Sequence, residues 1–271
     1  MITVNGVELK QEQFGDGTLK CKAAQGIDIG ECRNIIWWMY DNDAELFALY
    51  CIVRDIQCRC PDARNHLLMP YIPHARQDRN VSGRLFTLKY FAEIINSLDF
   101  YDVSVLDPHS DVSSALIDRM VRIPFYDYID RIKGYDAVMY PDAGAAKKYS
   151  KSPQIPVIVG NKHRNEEGRI DSYELLNFPD GAKKVIIRDD ICSYGGTFVA
   201  AAKALRERGV EYITLVVSHC ENNILKGEVF DYIDEVITTD SICTVDHPKL
   251  EIVSNYRTLE EPTNVQDQPA P

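Results

Sequence analysis

The sequence predicts an α/β protein built from two mostly parallel sheets, each flanked by helices. Three observations carry this. Apolar, strand-forming runs such as Asn34–Tyr40, Ala137–Tyr140 and Tyr212–Val217 alternate with helical segments of about ten residues or more, the rhythm of βα units. That rhythm occurs twice, and the halves meet near Arg122-Ile123-Pro124. Finally, Val185–Val199 (VIIRDDICSYGGTFV) joins a buried strand to a helix through an acidic pair and a Gly-Gly turn.

In order along the chain, Phe14-Gly15-Asp16-Gly17-Thr18 reads as a turn between two short strands, in an otherwise irregular opening stretch. Asn34–Tyr40 is a strand, and Asp41, Asn42 or Asp43 caps the helix Ala44–Ile56. Leu67–Met69 begins another strand, which runs into Pro70–Arg79 (PYIPHARQDR), where two prolines end regular structure. Phe86–Leu98 is an amphipathic helix with Leu88, Phe91, Ile94 and Ile95 on one face. Val103–Leu106 is a strand ending in Asp107-Pro108-His109-Ser110, followed by a helix over about Val112–Met120.

The second half opens with Ala137–Tyr140, a strand ending in Pro141-Asp142-Ala143-Gly144 before a helix. Pro156–Val159 leads into a charged loop, Gly160–Gly168, expected to be mobile, with Ile170–Leu176 as a hairpin strand beside it. After Val185–Gly196 come the helix Phe198–Gly209, the strand Tyr212–Val217, a helix over Ile224–Tyr232 and the strand Glu235–Thr238. The expected domains are residues 1–122 and 123–257. The stretch 258–271 is polar, proline-rich and aperiodic, and is read as disordered.

A net charge of −11 does not suit a phosphate backbone, so nucleic acid is not expected as a partner. No run of about 18 apolar residues is present, which argues against a membrane span. The first residues, MITVNGVELKQEQ, lack the basic and apolar regions of a signal peptide, so a cytoplasmic protein is expected. In that setting the eight cysteines are expected to be reduced, and Cys51, Cys58, Cys60 and His66 match no common zinc spacing.

Chemistry concentrates in Val185–Val199. Asp189 and Asp190 stand where a buried strand should end, Gly195 and Gly196 let backbone approach a ligand closely, and the following helix offers unpaired N–H groups and the positive end of its dipole. Such an arrangement binds an anion, and the carboxylates can accept hydrogen bonds from sugar hydroxyls, so a sugar phosphate is the expected ligand.

This stretch resembles the phosphoribosyl-pyrophosphate (PRPP) loop of the type I phosphoribosyltransferase fold. The resemblance to the ribose-phosphate pyrophosphokinase family extends further. Met69–Arg79 (MPYIPHARQDR) is similar to that family's PYFxYARQDR, Leu106–Ser110 (LDPHS) to its DLHA or DLHS, and Tyr140–Gly144 (YPDAG) to its SPDxGG. Asn161–Arg164 (NKHR) is similar to the DKRR at the foot of its flexible loop, and Phe14–Thr18 to its FxDGE. The motifs fall in the family's order between about Val7 and Ile242.

The resemblance implies two phosphoribosyltransferase-like domains and transfer of the diphosphoryl group of ATP to the C1 hydroxyl of ribose 5-phosphate, yielding PRPP and AMP. It implies that Lys162 and Arg164 are catalytic and close over the transferring group. Phe14, Asp16, Thr18, Arg76 and Gln77 would serve ATP. Asp189, Asp190, Ser193, Tyr194, Gly195, Gly196 and Thr197 would hold ribose 5-phosphate, with the acids on ribose hydroxyls. His109 and Asp142 would hold Mg2+. A homo-oligomer, a dimer or a hexamer built of dimers, is implied, with Phe14 reaching a neighbouring subunit's ATP site.

The chain departs from the family pattern in places. Ser193 stands where an acid is usual, Tyr194 where a threonine is usual, and Thr18 replaces the glutamate of FxDGE. The segment between Arg79 and Lys89 is shortened, and the usual first strand and helix and last helix are reduced. These departures keep two alternatives open: a non-catalytic regulatory homologue, and a transferase that consumes PRPP.

Overall fold

A computed structural model describes residues 1–21, 26–29, 33–81, 83–125, 133–149, 155–164 and 170–254, without the side chains of residues 163, 164, 170 and 171. The expected disordered tail therefore lies outside the described residues. The described chain divides into two compact units, Met1–Pro124 and Phe125–Ser254. No helix among the described residues is long and apolar enough to cross a membrane.

In the first unit, β1 (Ile2–Val4) and β2 (Val7–Glu8) form an antiparallel hairpin. Asn5 and Gly6 both adopt positive φ, 49° and 81°, as a tight hairpin turn requires. β3 (Glu12–Gln13) and β4 (Leu19–Lys20) pair across the Phe14–Thr18 turn. The main sheet runs β2-β1-β5-β6-β7-β8, with β5 (Arg33–Trp38), β6 (Arg64–Leu68), β7 (Asp102–Leu106) and β8 (Met120–Ile123) parallel. Helices α1 (Ala44–Arg59), α2 (Thr87–Ser97) and α3 (Asp111–Leu116) complete it. Ile36, Trp38, Ile52, Leu67, Phe91 and Val105 belong to one buried cluster.

One expected helix is shorter than its apolar pattern predicts. α3 stops at Leu116, Ile117 is already extended (φ −92°, ψ 118°), and Arg119 turns the chain at φ 53°. Met120–Ile123 then adds an edge strand beside β7, where Val121 and Ile123 are at home as β-branched residues.

The second unit is a seven-stranded sheet of order β11-β10-β9-β12-β13-β14-β15. Its strands are β9 (Ala137–Tyr140), β10 (Val157–Arg164), β11 (Ile170–Leu176), β12 (Lys184–Cys192), β13 (Tyr212–Cys220), β14 (Glu235–Thr239) and β15 (Leu250–Val253). Every neighbouring pair is parallel except β10 with β11. Helices α4 (Ala143–Lys148), α5 (Gly196–Glu207) and α6 (Val229–Tyr232), with a 3-10 turn at Asn222–Lys226, connect them.

Three expectations are corrected here. Gly160–Arg164 is not loop: β10 continues through it, because antiparallel pairing with β11 supplies partners for its backbone. β12 likewise runs beyond the acidic pair to Cys192, paired with Cys220 at the end of β13. The helix over Ile224–Tyr232 is split at Gly227, an extended residue (φ −98°, ψ −178°) between the 3-10 turn and α6.

The sheet order gives the second unit a switch point. From β9 the chain crosses to β10 on one side, while β12 lies on the other and leads to β13, β14 and β15. In open α/β sheets, ligands bind beyond the carboxyl ends of the strands at such a reversal.

Candidate active site

The carboxyl ends of β9 and β12 carry the acids. Asp142, just after β9, caps α4 with Oδ1, which accepts the Ala145 amide at 3.0 Å. Its Oδ2 accepts from Lys162 Nζ at 2.7 Å. Burial pushes the Asp142 carboxyl up, but Lys162 and the helix amides outweigh it and hold the group below the ordinary carboxylate range. Lys162 therefore sits on strand β10 with its charge against Asp142. Arg164 ends the same strand, and its side chain is outside the described residues.

Tyr173, on β11, reaches across to the start of this region. Its hydroxyl donates to the Pro141 carbonyl at 2.8 Å, and its pKa is driven well up by burial and by the charges of Asp142 and Asp189. Gly160 makes this contact possible, since a Cβ there would lie 2.1 Å from the Tyr173 hydroxyl oxygen. Nothing in the sequence pattern marked Tyr173, whose role follows from strand pairing.

Asp189 lies near the end of β12. Burial and its neighbour Asp190 push its carboxyl well above the ordinary range, with Asp142 adding to the effect. Asp190 is buried, 5% exposed, and its amide donates to Asp189 Oδ1 at 2.9 Å. A cluster of carboxylates that raises one member's pKa is arranged for something that compensates negative charge.

The turn that follows is built for a close ligand. Gly195, at φ 78°, precedes α5, whose first amides have no partner within the helix. Gly196 is exposed, with nothing within 4 Å of a Cβ placed on it, and the Tyr194 side chain is 55% exposed. Thr197 opens the helix's first turn. Ser193 behaves differently: its hydroxyl donates to Glu221 Oε2 at 2.5 Å. Glu221, at the end of β13, escaped sequence reasoning because no motif contains it.

In the first unit, Asp78 joins the loops after β6 and β7. It is buried, 6% exposed, and Arg79 Nε donates to it at 2.9 Å. Burial raises its pKa, while the hydrogen bond and charge of Arg79, with Ser110 and His109 nearby, lower it, so the net shift is down. The Asp78–Arg79 pair thus joins a buried carboxylate to an exposed guanidinium. Arg76 and Gln77 are exposed, and Gln77 accepts from the Thr87 hydroxyl at 2.5 Å. Phe14 is 54% exposed on its turn, with Lys20 Nζ 5.8 Å from the ring centre. Asp16 folds back on that turn, accepting the Thr18 amide at 3.0 Å and hydroxyl at 2.7 Å.

His109 belongs to the first unit and Asp142 to the second. No three His, Cys, Asp or Glu side chains among the described residues converge as a ligand set. Asp142, Asp189 and Asp190 are oxygen donors, which suits an ion like Mg2+ that keeps most of its waters and takes one or two carboxylates.

No protein-family model matches the chain. It is 27% identical to the ribose-phosphate pyrophosphokinase of Campylobacter jejuni over 268 residues, 92% of this chain and 82% of that protein. It is 30% identical to the ribose-phosphate pyrophosphokinase of a Marinomonas species over 222 residues, 74% of this chain and 67% of that protein. Among solved structures, the fold is similar to that of phosphoribosylpyrophosphate synthetase from Mycobacterium smegmatis, with a TM-score of 0.75 at 19% identity over 91% of this chain and 86% of that one.

Proposed function

The chain belongs to the ribose-phosphate pyrophosphokinase family, and from that premise we propose that it transfers the diphosphoryl group of ATP to the C1 hydroxyl of ribose 5-phosphate, giving PRPP and AMP. One observation carries the reading. The Asp142–Lys162 pair, the acidic pair Asp189-Asp190 and the glycine turn at Gly195 all belong to the carboxyl-end region of neighbouring strands at the switch point.

In this reading the amides that open α5 and the Thr197 hydroxyl take the 5-phosphate. Asp189 and Asp190 accept ribose hydroxyls, and their mutual repulsion is relieved as those donors arrive. Lys162 exchanges Asp142 for the transferring group, where charge builds up and a preorganised cation is worth most. Arg164, on the same strand, adds a second cation. In the second unit the Asp142 carboxylate would hold Mg2+, which would supply charge neutralisation on the phosphates; His109, in the first unit, is a separate candidate for the ion. Phe14 stacks on adenine, with Asp16 and Thr18 shaping its turn and Arg76 and Gln77 taking the nucleotide. Assembly into a homo-oligomer and a cytoplasmic location belong to the same proposal.

The test is direct. With ATP, ribose 5-phosphate and Mg2+, AMP and PRPP should appear in equal amounts, and chelation by EDTA should abolish the reaction until Mg2+ is restored. Ribose 5-phosphate binding without any turnover would instead support a regulatory homologue, the reading that the serine at position 193 favours.

A further inference from the structure

The phosphate turn does not stand alone. The segment from Glu221 to Val229 supports it at each residue from Cys192 to Gly195. The Glu221 amide donates to the Cys192 carbonyl at 2.8 Å, and Ser193 donates to the Glu221 carboxylate at 2.5 Å. Gly227 is pressed against Tyr194, so that a Cβ on it would lie 2.0 Å from the Tyr194 carbonyl oxygen. Val229 packs where a Cβ on Gly195 would be, 2.0 Å from its methyl carbon. Asn223 Nδ2 donates to the same Glu221 oxygen at 3.2 Å and so orients the carboxylate.

A serine hydroxyl has one proton. Ser193 commits that proton to Glu221, so it offers a ligand only lone pairs, backed by a carboxylate. Such a group accepts hydrogen bonds. Phosphate oxygens are acceptors and are served by the amides of α5, whereas sugar hydroxyls are donors. We propose that Glu221, reaching over from β13, is a positioning residue of the ribose 5-phosphate site: it fixes Ser193 as an acceptor for a sugar hydroxyl and holds the outline of the turn. This rests on ribose 5-phosphate being the ligand of that turn.

The experiment measures dissociation constants by calorimetry, for ribose 5-phosphate and separately for inorganic phosphate, in the full chain and its variants. Glu221→Ala should weaken ribose 5-phosphate by about tenfold or more, the range for a charge-assisted hydrogen bond, and phosphate by much less. Glu221→Gln keeps an acceptor oxygen but not the charge and should fall between. Adding Ser193→Asp to Glu221→Ala should recover most of the loss, since it returns a carboxylate to the turn. The KM for ATP should stay within about twofold throughout. Equal weakening of both ligands in Glu221→Ala, or no weakening of either with the melting temperature unchanged, would overturn the proposal. If the unaltered chain binds ribose 5-phosphate but makes no PRPP, the catalytic reading fails while Glu221 is still judged by these constants. If it binds no ribose 5-phosphate at all, both fall together.

Discussion

Each unit has its own mostly parallel sheet, yet their carboxyl-end loops are finished differently. In the first, the loop after β7 enters a six-residue helix, and the buried Asp78 is paired with Arg79 and feels the charge of His109, so its carboxyl is lowered. In the second, the turn after β12 passes through left-handed Gly195 into a twelve-residue helix, beside an acid, Asp189, whose pKa is raised. One unit has stabilised its ionised groups internally. The other pairs Asp142 with Lys162 but holds Asp189 at a cost that a ligand's donors or a cation would relieve, and such tension is expected where function resides.

The sharpest test of this contrast is the pair Lys162→Ala and Arg76→Ala. Removing Lys162 should lower kcat by about 10²–10³-fold, roughly 3–4 kcal/mol, with the KM for ATP little changed. Removing Arg76 should raise the KM for ATP and leave kcat nearly intact. Steady-state kinetics decides, and a kcat effect centred on Arg76 would reverse the roles given to the two units.

A second comparison sets Asp189→Asn against Asp78→Asn. Asp189→Asn should weaken ribose 5-phosphate binding by about tenfold or more, since a charge-assisted hydrogen bond is worth roughly 1.5–3 kcal/mol. It should also raise stability. A carboxyl whose folded pKa is raised above the reference of 3.8 favours the native state fully below that value and loses this contribution as pH rises through the folded pKa. The gain in melting temperature should therefore be present at pH 7 and shrink towards pH 3. Asp78→Asn should do the reverse, losing about 1–3 kcal/mol of stability near neutrality with ribose 5-phosphate binding untouched. Its folded pKa lies below the reference of 3.8, so its contribution is present above that value and lost as pH falls through the folded pKa. Calorimetric melts across pH 3–8 would reveal whether the two acids have opposite signs.

The smallest expected effect is at Phe14. An exposed ring stacking on a base contributes about 0.5–1.5 kcal/mol, so Phe14→Ala should raise the KM for ATP by roughly two- to tenfold without altering kcat. An unchanged KM would detach the Phe14 turn from nucleotide binding.

Much of this was legible in the sequence where local signals are strong. The apolar runs of β5, β9, β12 and β13, and the turn at Gly195-Gly196, each announced themselves by pattern within a few residues. What escaped depended on partners distant in the chain. Asn161–Arg164 looks like a charged loop by composition, and only pairing with β11 makes it strand. Met120–Ile123 continues an apolar helical pattern, and its backbone turn at Arg119 is unmarked by glycine. The Asn5-Gly6 hairpin did carry a local signal, the dipeptide that favours such turns, and was missed. Tyr173 and Glu221 reach the site through strand register alone, 31 residues from Asp142 and 28 from Ser193 by the numbering.

The central position of β12 bears on how the site assembles. Strand, turn, α5, β13 and the supporting segment form one continuous stretch from Lys184 to Val229, so the anion cradle closes by local steps. The Asp142–Lys162 pair reaches that cradle only when β9 docks against β12, at a separation of nearly fifty residues, and such non-local pairing bears the larger loop-closure entropy. The unit should therefore open in the opposite order, with β9, β10 and β11 releasing first as a cooperative piece. On gentle warming, turnover should disappear while the grip on ribose 5-phosphate persists.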